Sequence, residues 1–140
     1  MNILYTNKYI PKQLPEKHFG NKEYKLSLLV ENSKFKKTKY TNSKKYVMIE
    51  KRSTQMLFRI LEGNGKALYL IGIDDNGKNI GIDHNTLMES IENLKLMCKN
   101  INVSIKSIRI YNGLNGYIGS VRIMMNKELL EKKKFNTDNI

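Results

Sequence analysis

The chain has 140 residues, 40% of them hydrophobic, with a formal net charge of +12, which suits one domain with a real core. It has no apolar run of about 18 residues and no basic start followed by a continuous apolar stretch, so neither a transmembrane helix nor a signal peptide is expected. The single cysteine, Cys98, excludes an internal disulfide and fits a reducing, cytoplasmic compartment.

Residues 1–21, with Pro11, Pro15 and Gly20, read as an irregular arm. Residues 23–30 place Tyr24, Leu26, Leu28 and Val30 on one face, the period of a strand. The lysine-rich stretch 32–45 reads as a mobile loop. Tyr46, Ile49, Met56 and Ile60 then recur near helical spacing, and Gly63 supplies a residue that tolerates the left-handed conformation past a helix C-terminus. Residues 67–73 are nearly all apolar and read as a strand covered on both faces. Asp75-Asn76-Gly77 is turn chemistry, with 79–82 pairing back as a short strand. Asp83 is placed to cap a second helix, on which Leu87, Ile91, Leu94, Cys98 and Ile101 form an apolar stripe. Val103, Ile105, Ile108 and Ile110 predict a strand whose alternation slips at Ser107. A turn at 112–116 leads into a returning strand through Ile118, Val121, Ile123 and Met125. Residues 127–140 read as a basic flexible tail that starts as a short frayed helix. The order β-α-ββ-α-ββ predicts an α+β fold over 22–126: a mixed four- or five-stranded sheet with two helices on one face.

Lysine supplies 21 of the 25 basic residues and arginine only 4, while Lys, Asn and Ile together make up 54 of the 140 residues. These residues have AT-rich codons, so part of the lysine excess is mutational bias. Residues 1–45 carry net +8, residues 46–100 are neutral and residues 101–140 carry net +4. The ends therefore hold the potential that would steer a polyanion.

The glycine-rich pieces fail as nucleotide sites. Gly63-Asn64-Gly65-Lys66 is followed by Ala67, where a P-loop needs Ser or Thr, and the glycine spacing is wrong. Asn126-Lys127-Glu128 runs into Leu129, so a guanine-specificity motif is absent too. His18 and His84 have no partner at zinc-ligand spacing. Asp74-Asp75-Asn76 begins like a calcium loop but lacks its closing Glu. No cofactor or metal is expected. Glu23 and Asp74 are candidates for a divalent-metal site for phosphodiester cleavage if their strands are neighbours. Lys22 and Lys25 lie close by and a third carboxylate is missing, so surface charge is the simpler reading.

The remaining candidates are basic. Lys36, Lys37, Lys39, Lys44 and Lys45 interleave with Phe35, Tyr40 and Tyr46, a mixture able to neutralise phosphates and stack on bases; the alternative is a solvated loop in a lysine-biased chain. The scarce arginines carry more information. Arg52 and Arg59 are seven residues apart on one helix, hence on roughly one face. Arg109 and Arg122 fall on the last two strands, which should pair. A surface combining them would bind phosphate.

The segments Glu23-Tyr24-Lys25, Thr54-Gln55-Met56, Leu61-Glu62-Gly63 and Ile71-Gly72-Ile73 with Asp75-Asn76-Gly77, in this order and followed by a helix and two strands, resemble the N-terminal accessory domain of the GTP-binding protein 1/2 family, elongation-factor-like translational GTPases. The resemblance runs from about residue 14 to 125. In that family a P-loop follows the last strand, and this chain ends before one. The resemblance implies a domain without GTP hydrolysis, working near the ribosome or tRNA. Glu23-Tyr24-Lys25 and residues 70–81 are also similar, more distantly, to the Alba-like domain of Schlafen-type proteins, some of which cleave RNA with three carboxylates. Glu23 matches one of them, but His18 stands where an acidic residue is expected. The expectation is a non-catalytic, Alba-like domain that binds RNA (tRNA or rRNA) or a ribosome-associated protein, without membrane attachment. The alternatives are a Schlafen-like metal-dependent RNA nuclease and a protein-interaction module for a GTPase or ribosome-associated factor.

Overall fold

The computed structural model describes residues 2–29 and 39–138, with side chains described from residue 44 to 135 in the second stretch. Its elements are β1 (Ile3–Tyr9), β2 (Lys22–Lys25), α1 (Lys39–Glu62), β3 (Lys66–Ile71), α2 (His84–Asn100), β4 (Ser104–Asn112), β5 (Tyr117–Met124) and α3 (Lys127–Asp138). The strands form a mixed five-stranded sheet in the order β1-β4-β5-β3-β2. β1 runs parallel to β4 and β2 parallel to β3, while β5 is antiparallel to both its neighbours. The α+β class and mixed sheet expected from the sequence are therefore present.

Alternation along the strands divides the apolar residues between two faces. On one face Tyr69, Ile71, Ile108, Ile110, Val121 and Ile123 meet the helical stripes of α1 (Ile49, Met56, Ile60) and α2 (Leu87, Ile91, Leu94, Met97) in the main core. Each such buried side chain contributes about 1.5–3 kcal/mol relative to exposure. On the opposite face Tyr24, Leu70, Ile73 and Ile118 form a smaller cluster with Ile10. A strap, residues 10–21, joins β1 to β2 there. Its backbone is tied to the 74–78 turn by Gln13 N–H donating to Gly77 O (3.1 Å) and Glu16 N–H to Asp75 O (2.8 Å). Gly77 sits at φ 84°, and a Cβ there would lie 2.2 Å from Gln13 O, so only glycine lets strap and turn touch.

Several expectations are corrected. The N-terminal arm contains a strand: β1 pairs with β4 at Ile3–Ile108, Leu4–Arg109 and Tyr5–Ile110. It is an edge strand with mostly exposed side chains, interrupted by Asn7 at φ 57°, so it lacks the alternation that marks a half-buried strand. The strand expected over 23–30 stops at Lys25. Beyond it, Leu28 N–H donates to Ser90 Oγ (2.9 Å) and Leu28 O accepts from Asn93 Nδ2 (2.6 Å), so two buried side chains of α2 replace the ladder. The lysine-rich loop ends earlier than expected, because α1 starts by Lys39. Residues 79–82 form one isolated bridge, Ile82 to Tyr117, rather than a strand. Their neighbouring carbonyls accept instead from the 113–116 turn, Asn79 O from Leu114 N–H and Ile80 O from Asn115 N–H. The tail forms α3, with Leu130 buried in the main core. Gly63 follows α1 as expected, but the left-handed residues are Asn64 (φ 53°) and Gly65 (φ 99°). Gly63 is required for space, since a Cβ there would lie 1.9 Å from Lys66 O.

Two finer expectations hold. Asp83 caps α2, accepting from Thr86 N–H (3.0 Å) and from the Thr86 hydroxyl (2.6 Å). The slip at Ser107 is a bulge in the β4–β5 ladder between Ile105 and Ser107.

Candidate nucleic-acid interface

Strand periodicity places Arg109 on β4 and Arg122 on β5 on the face opposite the helices, each flanked in sequence by core residues, and both are exposed. Arg122 pairs across the ladder with Ser107, and Arg109 with Ser120. The two arginines are therefore diagonal neighbours, which in such a pair lie about 7–8 Å apart, somewhat less between Cβ atoms. Along the same row Arg122 opposes Leu68 on β3, and Leu68 opposes Lys22 on β2. Lys66, two residues before Leu68, faces the same way and is exposed. Leu4, opposite Arg109, is 56% exposed on the outer strand.

The strand positions on this face include Ser104, Arg109, Arg122, Lys66, Leu68 and Lys22, and none on it is a carboxylate, since the one carboxylate in a strand, Glu23, faces the helices. Part of it lies under the strap with the smaller apolar cluster. The rest is an open sheet surface with cations spaced by serines and apolar side chains. Guanidinium forks bind phosphate oxygens in pairs, hydroxyls add donors, and apolar strand side chains give bases a contact surface.

The other candidate residues are placed differently. Arg59 is a correction: it is 4% exposed and is not available to a surface ligand. Its Nε donates to Glu23 Oε2 (3.0 Å), Nη1 to Gly20 O (3.0 Å) and Nη2 to Lys17 O (2.8 Å). Every nitrogen of the guanidinium is committed to holding β2 and the strap against α1. Arg52, two turns earlier on the same helix, is half-buried, its Nη1 enclosed by protein. Neither joins Arg109 and Arg122, which lie across the sheet from α1. Lys36 and Lys37 lie outside the described residues, and so does the Lys39 side chain. Lys44 is half-buried and Lys45 exposed on the first part of α1, the helix side of the sheet.

The two carboxylates considered for metal do not meet. Glu23 is 1% exposed, bound by Arg59 and approached by Lys25 Nζ at 3.7 Å. Asp74 lies beyond the end of β3, five residues past Tyr69, whose Cα pairs with Glu23. Its Oδ1 accepts from Asn76 N–H and Lys78 N–H, each at 2.9 Å, and so closes the turn. Among the described residues no three His, Cys, Asp or Glu side chains gather as a metal would require.

Ionisation follows local surroundings. Desolvation raises the Glu16 carboxyl above its ordinary value, against the opposing effect of the Tyr24 N–H that it accepts. The hydroxyl and amide of Thr86 hold Asp83 below the usual carboxylate value. Burial raises the Tyr69 phenol, whose oxygen has no hydrogen-bond partner among the described residues. Burial also pushes the Cys98 thiol up to about 12, with its Sγ 3.9 Å from Met56 Sδ, which makes it a core residue and a poor nucleophile.

Lys22 and Lys66 belong to this face although their sequence context does not draw attention to them. The signal for both is their position two residues from Tyr24 and Leu68 at a strand start, which sets their side. The arginines of α1 carry a warning as well. Arg52 and Arg59 interleave with Ile49, Met56 and Ile60 at steps of three, four and three, which is the spacing of the core stripe itself.

No described helix is long and apolar enough to cross a membrane. No family model matches the chain, and no solved structure matches it. It is similar to GTP-binding protein 2 of Mus musculus and of Homo sapiens, 34% identical to each over 101 residues. Those residues are 72% of this chain and 14% of each relative, so the chain spans only a small part of the curated proteins it matches. The similarity is thus to one segment of GTP-binding protein 2.

Proposed function

We propose that this chain is a non-catalytic domain that binds RNA of the translation machinery, tRNA or rRNA, in the manner of an accessory domain of a translational GTPase. The observation that carries this reading is the diagonal pair Arg109 and Arg122 on a helix-free sheet face whose strand positions include Lys22 and Lys66 and no carboxylate. The relation to GTP-binding protein 2 supports the GTPase connection. The pairing of Glu23 with Arg59 removes support for a carboxylate nuclease, since that oxygen is already bound by a guanidinium inside the protein.

Fluorescence anisotropy with labelled tRNA at about 50 mM salt, where phosphate contacts are strong, tests the reading. The wild type binds, and changing Arg109 and Arg122 together to Ala weakens binding without changing the folded state by circular dichroism. Absence of binding at that salt refutes it.

A further inference from the structure

The strap carries an aromatic, Phe19, that lies outside the core. Where residues 14–21 turn along β2, they leave a cleft of about 280 Å³ lined by Leu14, Pro15, Lys17, Phe19, Lys22 and Tyr24, among others. Phe19 is 64% exposed and Leu14 74%. Lys17 Nζ sits 5.9 Å from the Phe19 ring centre. This is not a fraying segment, because the backbone on both sides of Phe19 is anchored. Lys17 O and Gly20 O accept from the buried Arg59 guanidinium, and Leu14 O accepts from the Tyr24 hydroxyl at 2.8 Å. The protein thus holds a large apolar ring outward on a fixed loop, beside two lysines. The strap's own carboxylate, Glu16, accepts from the Tyr24 amide and is not among the residues lining the cleft.

The cleft is continuous with the basic sheet face. Lys22 belongs to both: it lines the cleft, and it stands in the row Lys22, Leu68, Arg122. Two strand spacings separate the Lys22 and Arg122 backbones, about 10 Å. A polyanion lying on the arginines therefore reaches the cleft by way of Lys22.

We propose that this cleft receives one unstacked base of single-stranded RNA, with Phe19 as the stacking platform and Lys17 and Lys22 on the adjoining phosphates. Every base has a π-face, so such a site is tolerant of sequence, and it requires a base free of pairing. The inference rests on the RNA-binding reading above and adds to it the form of RNA preferred.

The test uses a single-stranded RNA octamer containing 2-aminopurine, the same sequence as a duplex, and the variants Phe19→Ala and Phe19→Trp. The wild type is expected to quench 2-aminopurine fluorescence on binding and to prefer the single strand. Phe19→Ala should weaken single-strand binding about tenfold, the scale of one base stacked on an aromatic ring. It should abolish the quench and leave the salt dependence unchanged, and Phe19→Trp should restore both affinity and quench. Equal single-strand affinity in Phe19→Ala and wild type, or equal binding of strand and duplex by the wild type, overturns the proposal. If binding is salt-sensitive and depends on Arg109 and Arg122 but is indifferent to Phe19, the cleft alone is refuted. If the wild type binds neither RNA, the functional reading falls with it.

Discussion

Arg59 and Glu23 form an ion pair in the interior, with Arg59 Nε 3.0 Å from Glu23 Oε2 and the two residues 4% and 1% exposed. It joins the last turn of α1 to the edge strand β2. Two backbone carbonyls of the strap, Gly20 and Lys17, accept from the other two guanidinium nitrogens. A single side chain therefore positions the strand and the strap that flank the basic face.

Such a pair is costly to break from one side, because a buried charge is left unpaired. Arg59→Ala or Glu23→Gln strands a buried partner, and each should lower unfolding free energy in urea by about 3–5 kcal/mol. The double variant Glu23→Leu with Arg59→Met should recover the part of that loss that comes from the unpaired charge, while the Gly20 and Lys17 carbonyls still lose their donor. A single variant with an unchanged urea midpoint would show that the pair is not desolvated.

Ser90 and Asn93 stand in for a strand by bonding the Leu28 amide and carbonyl. Ser90→Ala and Asn93→Ala each leave one buried backbone group unpaired, a loss of about 1–3 kcal/mol. Amide exchange at Leu28 should accelerate in Ser90→Ala while Leu94 and Ile91 keep their protection at matched stability.

Cys98 sets an alkaline limit. Its thiol rises from an ordinary 9.0 to about 12 in the fold, through burial. A group whose folded pKa is raised contributes stability fully present below the unfolded value and lost as pH climbs through the folded one. Stability should therefore fall between pH 9.0 and about 12, and Cys98→Ala should flatten that slope while lowering stability at neutral pH through poorer packing. Disulfide reagents at about pH 8, near the ordinary thiol value, should modify the native thiol only at the rate of opening.

Gly77→Ala tests the strap. The methyl would meet Gln13 O at a position with φ 84°, so the strap must lift or the turn must distort, at a cost above about 1 kcal/mol. Faster proteolysis within residues 10–21 should accompany the change, with the main core intact.

How far the sequence reveals this depends on whether a feature is local. The Asp83 cap, the stripe on α2 and the bulge at Ser107 are written in spacings of a few residues, and each is where the spacing puts it. β1 is not legible, because an edge strand interrupted at Asn7 buries too little to need alternation. The length of β2 is not legible either, since its ladder is cut short by Ser90 and Asn93, which are distant in the chain. Among the arginines, Arg109 and Arg122 are separable from the core by strand alternation. Arg59 shares the spacing of the buried stripe Ile49, Met56 and Ile60, so its inward face is legible, but its partner Glu23, 36 residues away, is not.

The central claim is that phosphate is held by Arg109 and Arg122 on the open sheet face. Its most direct test is the dependence of tRNA affinity on salt, measured as log Kobs against log salt for wild type and for the Arg109→Ala, Arg122→Ala double variant. Each phosphate no longer neutralised lowers the slope by about 0.7–0.9, so the account predicts a shallower slope, by about 1.4–1.8 for the pair, with weaker binding at low salt. Identical slopes and affinities for the two proteins would contradict it.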